Sequence, residues 1–155
     1  MKKLLPGFIL SVLVISCGNN KSDQPAADED STGLLENRLV WQAALNDSTG
    51  LLEMKQVRSE TTDSLSIQSV IESANQTNPE IVLSFVKTSN DTVYLKIADA
   101  HFLTQQMGST GPTMYLASLI YNLTEIPNIK YVNLDFEEGD HAQPGTYNRD
   151  TFKDQ

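Results

Sequence analysis

The chain has 155 residues, one domain's worth, and its 39% apolar and 7% aromatic content suffices for a modest core but not for a core along the whole length. A formal charge of −9 repels a phosphate backbone, which argues against nucleic acid as a partner. The single cysteine, Cys17, rules out an intrachain disulfide and any cysteine-based metal cluster.

Residues 1–16 read as a secretory leader. Lys2 and Lys3 form the basic end, and residues 4–15 are an apolar run too short to span a bilayer. The boundary that follows, Val14-Ile15-Ser16-Cys17, resembles the lipobox of bacterial lipoproteins: aliphatic, aliphatic or small, small, then cysteine. The resemblance implies cleavage just before Cys17, acylation of its thiol and acylation of the new amino terminus. Several acyl chains hold a protein on a membrane stably where one does not, because each buried methylene adds about 0.8 kcal/mol. Gly18 is not the aspartate linked with inner-membrane retention, so the expected place is the cell envelope, on the outer membrane where there is one. Loss of the leader takes Lys2 and Lys3 with it and no acid, leaving 9 basic against 20 acidic residues, a formal −11.

Residues 17–36 are the expected lipidated cysteine and an acidic, polar tether, with too little to bury to offset the entropy of ordering. The heptad DSTGLLE occurs twice, at residues 30–36 and 47–53; two copies with unmatched flanks read as a local duplication, not a solenoid. In residues 38–45, Leu39, Trp41, Ala43 and Leu45 alternate, and residues 51–58 form a second extended run, so the two predict a hairpin. Ile67, Val70, Ile71 and Ala74 keep helical spacing, with Thr62 or Asp63 as the expected cap and Asn78-Pro79 as the stop. A second hairpin follows, residues 81–88 and 92–98, with Ile81, Leu83, Phe85, Val93, Leu95 and Ile97 as its inward positions. Phe102 and Leu103 are expected to plug the core.

The most strongly patterned stretch is residues 109–136. Leu116, Leu119, Ile120 and Leu123 share one helix face, with Ser118, Asn122 and Glu125 opposite. Pro112 is expected at the first helical position behind a Thr110 or Gly111 cap, and Pro127 ends the run. The period then changes to two, with Val132, Leu134 and Phe136 on one side of a strand. The whole predicts an α+β domain over residues 37–140, in the order β-β-α-β-β-α-β. Its two helices would lie on one face of a mostly antiparallel sheet, and residues 141–155 would form a polar tail that either wraps back through Tyr147 and Phe152 or stays mobile.

The second hairpin through the last strand resembles a GerMN domain, a module of sporulation and germination lipoproteins and of other bacterial envelope proteins. The matching residues are Asn122-Leu123-Thr124-Glu125-Ile126-Pro127-Asn128-Ile129, like the family's "TLTEFPGV" phrase, then Glu138-Gly139-Asp140 as its acidic-glycine turn. Thr92 to Ile97, Phe102-Leu103 and Gly108-Ser109-Thr110-Gly111 match its approach to that helix. The chain departs from the family's Leu-Leu-x-Gly-Pro phrase, having Ala74-Asn75-Gln76-Thr77-Asn78-Pro79 in its place. The resemblance implies a non-catalytic module engaged in protein–protein contact or scaffolding near the cell wall, with an envelope protein or a second copy as partner. A spore role does not follow from it.

Catalytic motifs are absent from the sequence: no GxSxG elbow, HExxH, P-loop or GxGxxG occurs, and no enzyme activity or cofactor is expected. The one acidic cluster near an imidazole is Asp135, Glu137, Glu138, Asp140 and His141. These are candidate binding residues for a wall-derived ligand or cation, though the spacing matches no EF-hand loop and acids at a strand exit are usually solvated. Tyr115 and Tyr121 flank the apolar helix face, placed for core packing or for a contact surface.

Overall fold

The computed structural model describes residues 39–58 and 65–153 of the chain. The leader, Val14, Ile15, Ser16, Cys17, the tether, the first copy of the duplicated heptad, and Thr62 and Asp63 lie outside the described residues. The elements are β1 (Trp41–Leu45), β2 (Leu52–Gln56), α1 (Ile67–Thr77), β3 (Leu83–Ser89), β4 (Thr92–Ile97), a π-helical turn (Phe102–Gln106), α2 (Gly111–Leu123), β5 (Tyr131–Asp135), β6 (Gly145–Tyr147) and a 3-10 turn (Arg149–Phe152). This is the expected α+β order with one strand added at the end.

Four strands make one sheet in the order β3-β4-β5-β6. The β3–β4 and β5–β6 pairs are antiparallel, and β4 and β5 run parallel because α2 carries the chain across. Val93, Leu95 and Ile97 of β4 and Val132 and Leu134 of β5 are buried on one face. Against it pack Val70 and Ile71 of α1, Leu103 of the π-turn, and Leu116, Ile120 and Leu123 of α2. Leu103 fills the core as the sequence predicts, and Phe102 is half-buried beside it. Tyr131 and Asp135 on the other face stay exposed.

The turns follow local chemistry. At Ile126–Ile129 the Ile129 amide donates to the Ile126 carbonyl (3.1 Å). Pro127 supplies the fixed φ and Asn128 takes a left-handed φ of 68°, the arrangement of a type II turn. The amides of Lys130 and Tyr131 then both donate to the Asp91 carbonyl (2.8 and 3.1 Å), which sets the register of β5 against the β3–β4 hairpin. Two helix starts differ from expectation. Ser66, not Thr62 or Asp63, caps α1: its hydroxyl accepts from the Ser69 amide, and Ser69 answers through its own hydroxyl. Pro112 is the second residue of α2, behind a Thr110 that makes no side-chain cap bond.

The first hairpin does not join the sheet. β1 and β2 form a separate two-stranded ribbon laid on α2, so this helix is enclosed between the sheet and the ribbon. The attachment uses the polar face of α2. Asn122, only 1% exposed, accepts at Oδ1 from the amides of Val40 (2.8 Å) and Trp41 (3.1 Å) and donates from Nδ2 to the carbonyls of Trp41 (2.7 Å) and Ser118 (2.8 Å). Ser118 Oγ accepts from the Ala43 amide (3.0 Å). Side chains of a helix thus do for the outer edge of β1 what a third strand would have done.

The C-terminal segment is part of the fold. β6 pairs with β5, Phe152 is buried, and its ring stacks on Tyr147 at 6.1 Å. Arg149 closes the end of α2. Its Nη2 donates to the Tyr121 carbonyl (2.9 Å) and to Glu125, and its Nε donates to Thr124 Oγ1 (2.8 Å). The guanidinium lies over the rings of Trp41 and Tyr121, 5.4 and 5.0 Å from their centroids. Trp41 donates from Nε1 to the same Glu125 carboxylate (2.8 Å) and meets Tyr121 edge to face at 5.6 Å. Ribbon, helix and C-terminal segment are pinned together at this one place.

Candidate functional site

The acidic turn after β5 is built mainly by backbone. The Gly139 amide donates to the Ala142 carbonyl (3.1 Å), the His141 amide donates to the Thr104 carbonyl (3.2 Å), and Ala142 is buried. This seats the turn on the π-helical turn so closely that a Cβ at Gly139 would lie 2.5 Å from Thr104 Cβ. The Gln105 side-chain amide of the π-helical turn adds to the joint, its nitrogen donating to Asp140 Oδ2 and its oxygen accepting from the Asp140 amide, both at 3.2 Å. Asp135, Glu137, Glu138, Asp140 and His141 are all exposed, and Asp135 faces Lys96 of β4 across 3.4 Å. Among the described residues no three His, Cys, Asp or Glu side chains converge to hold a metal ion. Chemically the turn is a solvated acidic rim over a tight backbone joint, and the exposed Lys96–Asp135 pair adds little energy.

The two tyrosines divide. Tyr115 is buried in the core, where desolvation pushes its phenol pKa far up, and Tyr121 is half-buried under Trp41 and Arg149. His101 is exposed at the start of the π-turn, its amide donating to Asp99 Oδ1 (3.0 Å).

The surface that sequence reading missed is on β3. This strand is an edge of the four-stranded sheet, and its opening residue is held by α1: Asn75 donates from Nδ2 to the Leu83 carbonyl (2.9 Å) and accepts the Leu83 amide at Oδ1 (2.8 Å). Beyond Leu83 that support ends. Phe85 pairs with the buried Leu95, so it points to the helix side as its alternation predicts, yet it is 49% exposed rather than part of the core. The reason is its place at the sheet margin, past the anchoring Asn75. Val86 is the extra residue of a β-bulge between Phe85 and Lys87 and is 55% exposed; Val82, just before the strand, is 60% exposed. Three large apolar side chains within five positions therefore face water beside a strand edge that no described strand pairs. The adjacent pair Phe85-Val86, breaking a strict alternation, was the only sign of this in the sequence. No family model, no curated protein and no solved structure matches the chain.

Proposed function

We propose that the chain is a lipid-anchored, non-catalytic module of the bacterial cell envelope, acting by protein–protein contact near the cell wall. The lipobox-like Val14-Ile15-Ser16-Cys17 supports the anchor, and the GerMN-like phrase from Asn122 to Ile129 supports the module. The observation that carries the contact role is the exposed group Val82, Phe85 and Val86 on the β3 edge. Apolar side chains beside unpaired strand amides and carbonyls give an incoming extended segment both hydrogen bonds and side-chain pockets. In this reading the acyl chains fix the membrane, residues 17–36 set the reach, and β3 meets the partner, an envelope protein or a second copy of the chain.

The test is photo-crosslinking from position 86 in living cells. A discrete crosslinked envelope protein, lost on Phe85→Lys, is the expected result. Phe85 is half buried, at 49% exposed, so Phe85→Lys is expected to cost up to about 2 kcal/mol, and a cooperative unfolding transition retained above growth temperature in the purified variant shows that the loss does not reflect unfolding. An unchanged crosslink in Phe85→Lys removes the β3 edge from the reading.

A further inference from the structure

The ribbon covers α2 incompletely, and a groove of about 570 Å³ runs between the ribbon, α1 and α2. That is the size of a small-molecule site. Leu39, Val57, Val70, Ala74, Met107 and Met114 line it, and none of its described lining residues carries a charge. Val57 is half exposed, which leaves the groove open to solvent on the ribbon side. Tyr115, also in the lining, is 7% exposed, and its buried hydroxyl has no hydrogen-bond partner among the described residues. A buried hydroxyl without a partner is costly to keep, and the fold retains one beside an apolar groove.

The geometry points to a binding site for an uncharged amphiphile: an apolar chain seated between the ribbon, α1 and α2, with an ester or ketone oxygen that accepts a hydrogen bond from Tyr115. With no charge among the described lining residues, a carboxylate head would be held less well at the same place, since a buried charge without a counter-charge is expensive. Burial holds the phenol protonated, so it keeps a hydrogen to donate to a ligand oxygen. Met107 and Met114, unbranched and with soft sulfurs, can shift to bring the ligand oxygen to the hydroxyl and to fit chains of different shape. Monoacylglycerols have the required chemistry, whether drawn from a membrane or free in solution. This site is independent of the β3 edge, and either can fail alone.

Trp41, the sole tryptophan, lines the same groove and reports on it directly. The experiment titrates 1-lauroylglycerol, below its aggregation threshold, into the full chain carrying Cys17→Ser, a change that removes the proposed acylation site and the need for detergent. The expected result is a saturable change in Trp41 emission with a raised Tm. Laurate at pH 8, with the same chain and a charged head, should bind at least about tenfold more weakly. Tyr115→Phe should weaken 1-lauroylglycerol about five- to tenfold, the worth of one hydrogen bond, without lowering the unliganded Tm. Ala74→Leu should weaken it further by filling the groove. No saturable emission change overturns the site. Equal affinity for laurate overturns the uncharged head, and unchanged affinity in Tyr115→Phe overturns the role of the hydroxyl.

Discussion

Asn122 carries more of the structure than any other single polar residue of α2. Its amide satisfies two amides and two carbonyls where water is excluded, so truncation strands several groups at once. Asn122→Ala is expected to cost about 3 kcal/mol. Urea unfolding measures it, and a red shift of Trp41 emission would show the ribbon coming away from the helix. Gly139 is constrained by space instead. A methyl there meets Thr104, a branched and buried side chain that has little room to retreat, and Gly139→Ala should lose about 1–3 kcal/mol. If Gly139→Ala unfolds at the same denaturant concentration as the parent, the turn is looser than this contact implies. Neither residue announces its role in the sequence: an asparagine on a polar helix face and a glycine in an acidic turn both read as solvent-facing.

At the scale of elements, α2 is a two-faced helix. Its apolar stripe meets the sheet and its polar stripe holds the ribbon, while Arg149 and Glu125 lock the far end. A guanidinium at the C-terminal end of a helix is favoured both by the free carbonyl it takes up and by the helix dipole. Burial on its own would raise the Glu125 pKa, but hydrogen bonds from Arg149 and Trp41 and the Arg149 charge outweigh it, and the carboxyl sits below its ordinary value of 4.5. A carboxylate held lower in the folded state than in the unfolded state stabilises the fold above pH 4.5, and that contribution fades as pH falls through the depressed value. Thermal unfolding from pH 7 to pH 3 should therefore show an acid limb that is shallower in Glu125→Gln, with stability at pH 7 lower by about 1–2 kcal/mol. An acid limb of the same slope in Glu125→Gln would assign the pH dependence to other carboxylates.

For the whole molecule, the expected behaviour is that of a folded unit held near a surface. Cys17→Ser is expected to move the chain from the membrane pellet to the soluble fraction of disrupted cells, since it removes the proposed point of acylation. Pelleting unchanged by Cys17→Ser would remove the anchor from the proposal. The −11 expected after leader loss should keep copies apart at low salt, so self-association through the β3 edge, if it is the contact, should strengthen as salt screens the charge. Sedimentation at low and high salt measures this.

Local pattern was enough for the element order, the π-turn leucine in the core, both hairpins and the switch from α2 to β5, because each depends on periodicity or on a turn residue within a few positions. The candidate acidic residues were legible as a cluster in sequence, but their side chains are exposed and do not converge on a common point. Only the tertiary structure decided that the first hairpin stands apart from the sheet, that Phe85 is left at the margin, and that residues 145–152 close the fold. These depend on contacts between residues up to about eighty positions apart, such as Asn122 with Val40. Periodicity tells which face of an element is apolar; it cannot tell what will lie against the polar one.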